Sequence, residues 1–412
     1  PACVPAEYPR GSPVGPLVTT PKHSSLATIA LILGGVAIGI TEFVTMGLLP
    51  QIAGGVGVDI PTAGHAISAY AVGVVIGAPV LAAWGASKPR KGLLLGLVVA
   101  IIVGNVLSAL APGYGSLVGA RVLAGLPHGA YFGVATLVAI DLAPAGQAGR
   151  AVGRVMLGIP IANVAGVPLV TWMGQAIGWR SAYWFVAVVA LGALAMIAVF
   201  VPRIVQADAN SVMQELRAFG SMQVALTFIA GSIGFGGMFA MYSYVAPLIT
   251  EVAGQPERFV PVALFAFGLG GIVGNTIGGR MSDWSVLRTI VIASVGMSVV
   301  LVVLALVATW FVAAVLFVFI ASLVAAILAV GVMMRLITVA NSAKTLGAAS
   351  AHASLNIANA VGAWLGGIVI ARGYGYAAPS LVGAVLALGG LVVFGLSILF
   401  HKREQVAMDV TS

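Results

Sequence analysis

Three ionisable side chains lie in stretches of the sequence that are otherwise almost wholly apolar. Glu42 is the only carboxylate in the apolar run that starts at Leu26, and Arg121 and His128 lie seven residues apart in a later run. A spacing of seven places two side chains on one face of a helix. An acid, a guanidinium and an imidazole in apolar surroundings can exchange protons or bind polar ligands. What they do depends on the elements that position them.

Composition places those elements in a lipid bilayer. Hydrophobic residues make up 60% of the 412 residues and charged residues only 7%, which lies far from the composition of soluble globular proteins. One crossing of the hydrocarbon core needs about 20 apolar residues. The apolar runs are continuous rather than alternating, which excludes a β-barrel. We therefore predict an all-α integral membrane protein with twelve transmembrane helices.

Charged residues and Gly/Pro clusters divide the chain into two predicted halves. The one long polar stretch, residues 202–220, is the predicted cytoplasmic loop between them. We predict a disordered cytoplasmic tail at 1–25, a six-helix bundle at 26–201, a second at 221–400 and a cytoplasmic tail at 401–412. The predicted spans, numbered 1 to 12, are 26–50, 64–86, 92–111, 116–142, 150–175, 180–201, 221–250, 258–281, 288–309, 312–337, 345–371 and 377–400.

The distribution of basic residues predicts the orientation. If the first tail is cytoplasmic, fifteen Lys and Arg side chains face the cytoplasm, and only Arg180, Arg258 and Arg372 face the outside. Cytoplasmic loops carry such an excess. We therefore expect a multi-pass protein of the cell membrane with both termini in the cytoplasm. Because the net charge of +8 reflects this orientation, we expect no nucleic-acid partner.

A short internal repeat supports the division into halves. IANVAG at 161–166 in span 5 recurs as IANAVG at 357–362 in span 11. The loops that follow spans 2 and 8 are both basic. Parallel repeats related by an axis along the membrane normal are one transporter architecture. The pattern therefore indicates a duplicated six-helix unit.

Longer stretches resemble one family. TEFVTMGLLPQIA (41–53), GARVLAGLPHGAYFGV (119–134) and PIANVAGVPLVTWMGQAIGWR (160–180) are similar to helices one, four and five of the drug and sugar efflux branch of the major facilitator superfamily. That branch includes arabinose-efflux permeases and chloramphenicol exporters. The resemblance covers almost the whole chain after the tail. It implies the major facilitator fold of two six-helix pseudo-repeat halves, export by alternating access, and a cluster of Glu42, Arg121 and His128 in a cavity lined by spans 1 and 4.

Glu42 is the predicted proton carrier, with Arg121 and His128 as partners. An ionised side chain near the bilayer centre costs about 2.5–3.5 kcal/mol on insertion scales. Burial favours the neutral form of an acid, whereas a nearby cation favours the charged form. A group between these two effects can bind and release a proton during a cycle. The alternatives are a carboxylate fixed to a neighbouring helix and a histidine that packs at the Pro127 bend.

Polar and aromatic side chains at helical spacing are predicted to bind the substrate. An amide stripe in span 11 offers donors and acceptors, although buried amides also join helices. An aromatic face in span 7 suits amphipathic ligands, although such faces also pack in cores or against lipid. The predicted substrate-binding residues are Phe43, Met46, Tyr131, Asn163, Phe235, Met238, Phe239, Tyr242, His352, Asn356 and Asn359.

The loops after spans 2 and 8 carry the predicted gating motif. Its residues are Lys88, Arg90, Lys91, Gly279, Arg280 and Asp283. The resemblance implies a loop charge relay that locks the cytoplasmic side and uses an Asp after Gly-x-x-x. The second copy keeps Gly279 and Asp283, whereas the first copy, GAPVLAAWGASKPRK, lacks this Asp. The resemblance therefore does not extend to a loop charge relay in the N-terminal half.

Motifs for enzymatic or metal chemistry are missing from the sequence. It contains no G-x-x-x-x-G-K-[ST] loop, no H-E-x-x-H and no Cys/His cluster. We therefore predict a monomeric transporter rather than an enzyme, without cofactor or metal, that uses the proton gradient to export a small neutral or amphipathic sugar or drug. A passive facilitator or importer of the same fold, and a membrane receptor or scaffold that transports nothing, remain as alternatives.

Overall fold

Apolar helices dominate the structure, a computed structural model that describes residues 21–85, 88–144, 148–203, 222–339 and 344–411. In these ranges eleven helices are long and apolar enough to cross a membrane. One of them, Val260–Val307, leaves helical geometry at Ser285 (φ −167°, ψ 113°) and therefore supplies two crossings. The predicted all-α fold with twelve membrane-spanning helices is confirmed.

The spans keep their predicted order, with edges that shift by a few residues. Span 7, predicted at 221–250, is helical to Tyr242 and continues as two short turns, Val245–Pro247 and Leu248–Val252. Spans 1 to 3 are Pro21–Gly47, Ile60–Gly85 and Arg90–Leu110, and span 4 consists of Tyr114–Gly125 and Pro127–Asp141. Span 5 consists of four pieces, Ala148–Met156, Gly158–Ile161, Ala162–Gly166 and Val167–Ile177; span 6 is Arg180–Phe200, and span 7 consists of Met222–Gly234 and Gly236–Tyr242. Spans 8 and 9 are the two parts of Val260–Val307, and spans 10 to 12 are Phe311–Val339, Lys344–Ala371 and Ala378–Thr411.

Because the described chain crosses twelve times, Pro21 and Thr411 lie at the same end of the bundle, called here the terminal end; the opposite end is the distal end. The predicted N-terminal tail falls mostly outside the described residues, but helix already begins at Pro21. Most of the predicted loop at 202–220 is also outside them. The helix of span 12 continues through the predicted C-terminal tail to Thr411, and the cytoplasmic location of this tail stays a prediction.

Breaks in the helices lie next to the candidate site. Span 1 ends at Gly47, and a short helix, Leu49–Val56, follows with Pro50 in its first turn. Span 4 is interrupted between Gly125 and Pro127, where Leu126 keeps helical angles (φ −50°, ψ −46°) and Pro127 has no N–H to donate to the preceding turn. Both interruptions lie in the helices that carry Glu42 and His128.

Glycines bring helices close together within each half. A β-carbon at Gly73 or Gly77 of span 2 would collide with the carbonyl oxygens of Val122 and Leu126 in span 4. The C-terminal half repeats this arrangement, with Gly274 and Gly278 of span 8 pressed against the backbone of span 10. Small residues allow such close contact between membrane helices.

The two halves join in the distal part of the bundle. The Ser68 hydroxyl donates to the Ala360 carbonyl (3.1 Å), which ties span 2 to span 11. The Gln175 amide donates to the Glu257 carbonyl (2.9 Å) and ties span 5 to the start of span 8. Phe43 and Met46 of the first half belong to the same buried cluster as the aromatic residues of span 7. The candidate site therefore lies where the two halves meet.

Candidate functional site

Glu42 lies five residues before the end of span 1 and is only 5% exposed. The charge that acts on it most strongly is that of Arg121 in span 4, and the side-chain amide of Asn359 in span 11 faces it from the other half. In the described ranges the only salt bridge within 4 Å joins Arg90 to Asp141. Glu42 and Arg121 are therefore near each other but not in direct ionic contact.

Arg121 is held by span 1. Its Nη2 donates to the Thr41 carbonyl (2.7 Å) and its Nη1 to the Thr41 hydroxyl (3.3 Å). The Thr41 hydroxyl in turn donates to Asn105 Oδ1 in span 3, and Asn105 Nδ2 donates to the Ile101 carbonyl (2.8 Å). This directional chain fixes the guanidinium one residue away from Glu42 along span 1. If the Arg121 guanidinium moved away from Thr41, both of these charged hydrogen bonds would break.

Two tyrosines complete the surroundings of Arg121, which is fully buried. The guanidinium carbon lies 4.5 Å from the centre of the Tyr70 ring and 5.5 Å from that of Tyr183. The Tyr183 hydroxyl lies 2.8 Å from the Thr45 hydroxyl. Aromatic faces attract a desolvated cation. The charge is therefore stabilised without a carboxylate in direct contact, so it remains available to act on Glu42.

His128 is linked to the cluster through Tyr70 rather than through Glu42. Its Nδ1 lies 3.0 Å from the Tyr70 hydroxyl, and its ring packs 5.5 Å from that of Phe132. Tyr70 thus contacts Arg121 with its ring and His128 with its hydroxyl. The implied cluster of Glu42, Arg121 and His128 exists as a chain of neighbours, in which His128 is the outermost member. It also faces His352 across the boundary between the halves.

The predicted amides carry hydrogen-bonding atoms that are buried and without partners. Asn359 is fully buried, and neither of its amide atoms makes a hydrogen bond of normal geometry in the described part of the chain. Asn356 donates to the His352 carbonyl (3.0 Å), but its oxygen has no such partner. The side-chain oxygen of Asn163 in span 5 is also buried and has no hydrogen-bond partner among the described residues. Buried polar atoms without partners are rare in proteins, so these three are suited to meet a ligand.

Aromatic rings from both halves meet beside Glu42. Phe43 stacks on Phe239 with ring centres 6.5 Å apart and an angle of 4°, and Phe43 contacts Tyr242 edge to face at 5.8 Å. Tyr242 stacks on Phe267 of span 8 at 3.7 Å. Its fully buried hydroxyl has no hydrogen-bond partner among the described residues. This surface therefore offers an apolar wall and one polar group.

The remaining predicted ligand residues differ in their surroundings. Phe235 packs edge to face on Phe239 at 5.8 Å, and Met46 and Met238 are buried in the same cluster. The Tyr131 hydroxyl, by contrast, donates to the Leu31 carbonyl (2.8 Å), and its ring fills the space above Gly34. Because all of these contacts of Tyr131 lie within the N-terminal half, we interpret it as a packing residue.

At the terminal end, the described ion pair of the loop residues lies in the N-terminal half, although the sequence motif is better preserved in the C-terminal half. In the N-terminal half Arg90 forms an ion pair with Asp141 at the end of span 4, and Lys91 donates to the Ala198 carbonyl (2.7 Å). Asp283 in the second copy is exposed and takes part in no described ion pair. An acid from span 4 thus forms the ion pair with a basic residue of the loop that lacks the Asp.

The other predicted loop residues are more peripheral. Lys88 lies over the exposed Trp84 ring at 4.3 Å. Arg280 is exposed, and Gly279 has free space where a β-carbon would be. None of these three contacts the buried cluster in the described interactions.

Several residues of the site have no clear signature in the sequence. Thr41, Tyr70 and Tyr183 are found only through their contacts with Arg121. Phe267 lies in a run of apolar residues that resembles any membrane helix. Asn105 is the exception, because it is the only amide in span 3 and could have been selected on that basis.

Comparison with known proteins places this site in a family. A model of the Major Facilitator Superfamily matches residues 31–338. The chain therefore belongs to that superfamily, a class of multi-pass membrane transporters, and it is a transporter rather than an enzyme.

Individual relatives agree with this assignment. The chain is 37% identical to the inner membrane transport protein YdhP of Escherichia coli K12 over 370 residues, which cover 89% of this chain and 94% of the relative. It is 33% identical to a chloramphenicol resistance protein of Streptomyces lividans over 374 residues, covering 90% and 94%. Among solved structures, a D-xylose-proton symporter has a similar fold, with a TM-score of 0.71, 16% identity and coverage of 90% and 97%.

Proposed function

We propose that this protein is a proton-coupled exporter of a small neutral or amphipathic molecule, working by alternating access without a cofactor. The observation that carries the proposal is the position of Glu42. It is buried at the boundary between the halves, near the charge of Arg121 and opposite the Asn359 amide. A buried acid with a nearby cation that is held by other groups can change its protonation state without breaking an ion pair.

The geometry suggests how proton and substrate would compete. While Glu42 is charged, its attraction to the Asn359 amide draws the two halves together around the site, whereas its attraction to Arg121 acts within the N-terminal half. Protonation weakens the attraction between the halves. A ligand that hydrogen-bonds to the amides of span 11 would then take the place of the charged carboxylate as partner of Asn359. Proton and substrate would in this way occupy the site in different steps of one cycle.

The joined distal end indicates the direction in which this conformation opens. Ser68 and Gln175 bind the opposite half in the distal part of the bundle. The excess of basic residues predicts that the terminal end is cytoplasmic. The described conformation would then be closed to the outside, which is the state in which an exporter takes up its substrate.

The proton gradient is sufficient for export. One proton that moves down about 100 mV releases about 2.3 kcal/mol, which corresponds to about fortyfold accumulation at 1.4 kcal/mol per decade. A partly aromatic and partly amide-lined site favours neutral or amphipathic molecules such as drugs or sugars. The similarity to a chloramphenicol resistance protein makes chloramphenicol the first molecule to test.

Glu42→Gln tests the proposal, because glutamine keeps the size of the side chain but cannot titrate. Proteoliposomes with an imposed pH gradient should drive uptake of labelled compounds from a panel that includes chloramphenicol and L-arabinose. We expect Glu42→Gln to lose gradient-driven transport while ligand-driven counterflow remains. The matched control is Glu251→Gln, which changes an exposed acid near the distal end.

The alternatives give different results in the same experiment. Transport by the wild-type chain that is insensitive to the pH gradient would identify a passive facilitator. Absence of counterflow for every compound would contradict the proposed substrate class of neutral drugs and sugars. Undiminished gradient-driven transport by Glu42→Gln would remove Glu42 from the coupling mechanism.

A further inference from the structure

Span 5 contains a local change of helix type at the repeated motif. Residues Ala162–Gly166 form one π-helical turn, in which the Val167 N–H donates to the Ala162 carbonyl five residues back. Such turns hold one extra residue compared with an α-helix and are frequent at functional sites. Asn163 lies in this turn, with its side-chain oxygen buried and without a hydrogen-bond partner in the described residues.

Gly268 of span 8 packs directly on this turn from the other half. A β-carbon at Gly268 would lie 2.6 Å from the Asn163 carbonyl oxygen, 2.7 Å from its carbonyl carbon and 2.8 Å from the Val164 nitrogen. Real β-carbon contacts are essentially never shorter than 3.0 Å. All three atoms belong to the backbone, so no side-chain rotation can relieve the collision. Only glycine fits this contact without moving one of the helices.

The preceding residue contacts a second predicted ligand residue. Phe267 stacks on Tyr242 with ring centres 3.7 Å apart and an angle of 18°. Tyr242 carries a buried hydroxyl without a partner among the described groups. Two consecutive residues of span 8 therefore support two of the polar groups that could meet a ligand, Tyr242 through a ring and Asn163 through the backbone.

We propose that Gly268 is a positioning residue: it lets span 8 seat the π-helical turn of span 5 and so holds Asn163 at the ligand site between the halves. This inference rests on the proposed transport function. An amide oxygen held in this way accepts a hydrogen bond from a hydroxyl or amide N–H. The ligand must accordingly carry at least one such donor, and the proposed function restricts it to neutral or amphipathic molecules.

The first experiment requires no ligand. Hydrogen–deuterium exchange of the segment 158–170 is compared in the full-length wild type, Gly268→Ala and Gly271→Ala, all in lipid nanodiscs. Gly271 lies in the same helix, and a β-carbon there would make only an ordinary contact, 3.4 Å from the Ser322 hydroxyl. We expect exchange to rise several-fold in Gly268→Ala and to stay unchanged in Gly271→Ala. Equal exchange in Gly268→Ala and wild type would overturn the proposal.

The second experiment separates positioning from simple destabilisation. In proteoliposomes, Gly268→Ala should raise KM for chloramphenicol about tenfold, as expected for one lost hydrogen bond, and leave the maximal rate within about twofold. If Gly268 acts through Asn163, the double variant with Asn163→Ala should be no worse than either single variant. Additive losses, or a fall in maximal rate with unchanged KM, would contradict the positioning role.

The two experiments also distinguish this inference from the proposed function. If the wild type transports no chloramphenicol, the choice of substrate is wrong, and the exchange measurement still decides whether Gly268 seats the turn. If Glu42→Gln transports normally but Gly268→Ala raises both exchange and KM, proton coupling through Glu42 is wrong and the positioning role stands.

Discussion

The two halves share backbone features but differ in chemistry. Span 1 and span 7 break at Leu48 (φ −113°, ψ 16°) and Tyr244 (φ −118°, ψ 23°), which lie 196 positions apart. The same separation relates IANVAG to IANAVG. With this alignment Met238 is the counterpart of Glu42. The C-terminal half thus has the corresponding helix and break but no acid.

The counterpart of Arg121 follows from helix packing. Gly73 meets the Val122 carbonyl, and Gly274 meets the Leu323 carbonyl in the equivalent pair of helices. The residue before Val122 is Arg121, and the residue before Leu323 is Ser322. One half therefore holds both charges, and the other supplies a thioether, a hydroxyl, aromatic rings and an amide. The two halves therefore share a backbone arrangement, and the titratable site depends on side chains that only the N-terminal half carries at these positions.

The largest expected effect comes from making span 4 resemble span 10. Arg121→Ser should destabilise the protein by about 3 kcal/mol or more, because each hydrogen bond to a charged group contributes about 1.5–3 kcal/mol and Arg121 donates two to Thr41. It should also abolish gradient-driven transport. Thermal unfolding in detergent and proteoliposome transport measure the two effects.

Ser322→Ala is the control in the other half. It should change the free energy of unfolding by about 1 kcal/mol or less. Arg121→Lys should recover part of the stability, since lysine keeps the charge but loses the planar two-donor contact. Equal unfolding midpoints for Arg121→Ser and Ser322→Ala would show that the charge network does not distinguish the halves.

A smaller effect is expected from the repeated asparagines. Asn359 faces Glu42 from the other half, whereas Asn163 lies in the π-helical turn of span 5. Asn359→Ala should shift the pH dependence of gradient-driven transport, because the carboxylate loses the polar amide that faces it. Asn163→Ala should change KM and leave the pH profile in place. Initial transport rates are measured at a series of pH values for the wild type, Asn359→Ala and Asn163→Ala. Identical pH profiles for these three proteins would argue against a role of Asn359 in coupling.

The smallest effect concerns the helix starts at the distal end. Asp59 caps span 2 by accepting a hydrogen bond from the Thr62 N–H (2.8 Å), whereas span 8 starts after Phe259 without a side-chain cap. Asp59→Ala should cost about 0.5–2 kcal/mol. The comparison variant is Phe259→Ala, which changes the residue before span 8, where no side-chain cap exists. It should leave the pH dependence of the unfolding midpoint unchanged.

This capping effect should depend on pH. The hydrogen bonds from Thr62 hold the pKa of Asp59 below its usual value. A carboxyl with a lowered pKa in the folded state stabilises the protein above its unfolded pKa of about 3.9 and loses this contribution as the pH falls through the lower folded value. The difference in unfolding midpoint between wild type and Asp59→Ala should therefore shrink below about pH 4. A difference that is constant down to pH 2 would contradict the capping assignment.

Much of the fold and part of the site could be predicted from the sequence. Long apolar runs specify membrane helices, because a buried backbone in lipid must satisfy its own hydrogen bonds. A lone Glu42 or Arg121 in such a run is conspicuous, since hydrocarbon disfavours charge. Tyr70 and Phe267 could not be selected in this way, because aromatic residues are common in membrane helices for reasons of packing alone.

The repeated Ile-Ala-Asn motif shows most clearly what could not be predicted from the sequence. The sequence by itself determined that span 5 and span 11 carry the same Ile-Ala-Asn segment, that the chain crosses the membrane twelve times, and that Glu42 is buried. Only the tertiary structure decided that Asn163 lies in a π-helical turn against Gly268, whereas Asn359 lies in a regular helix opposite Glu42. The physical reason is that helix type and side-chain partners depend on which surface packs against a segment, and that surface comes from distant parts of the chain.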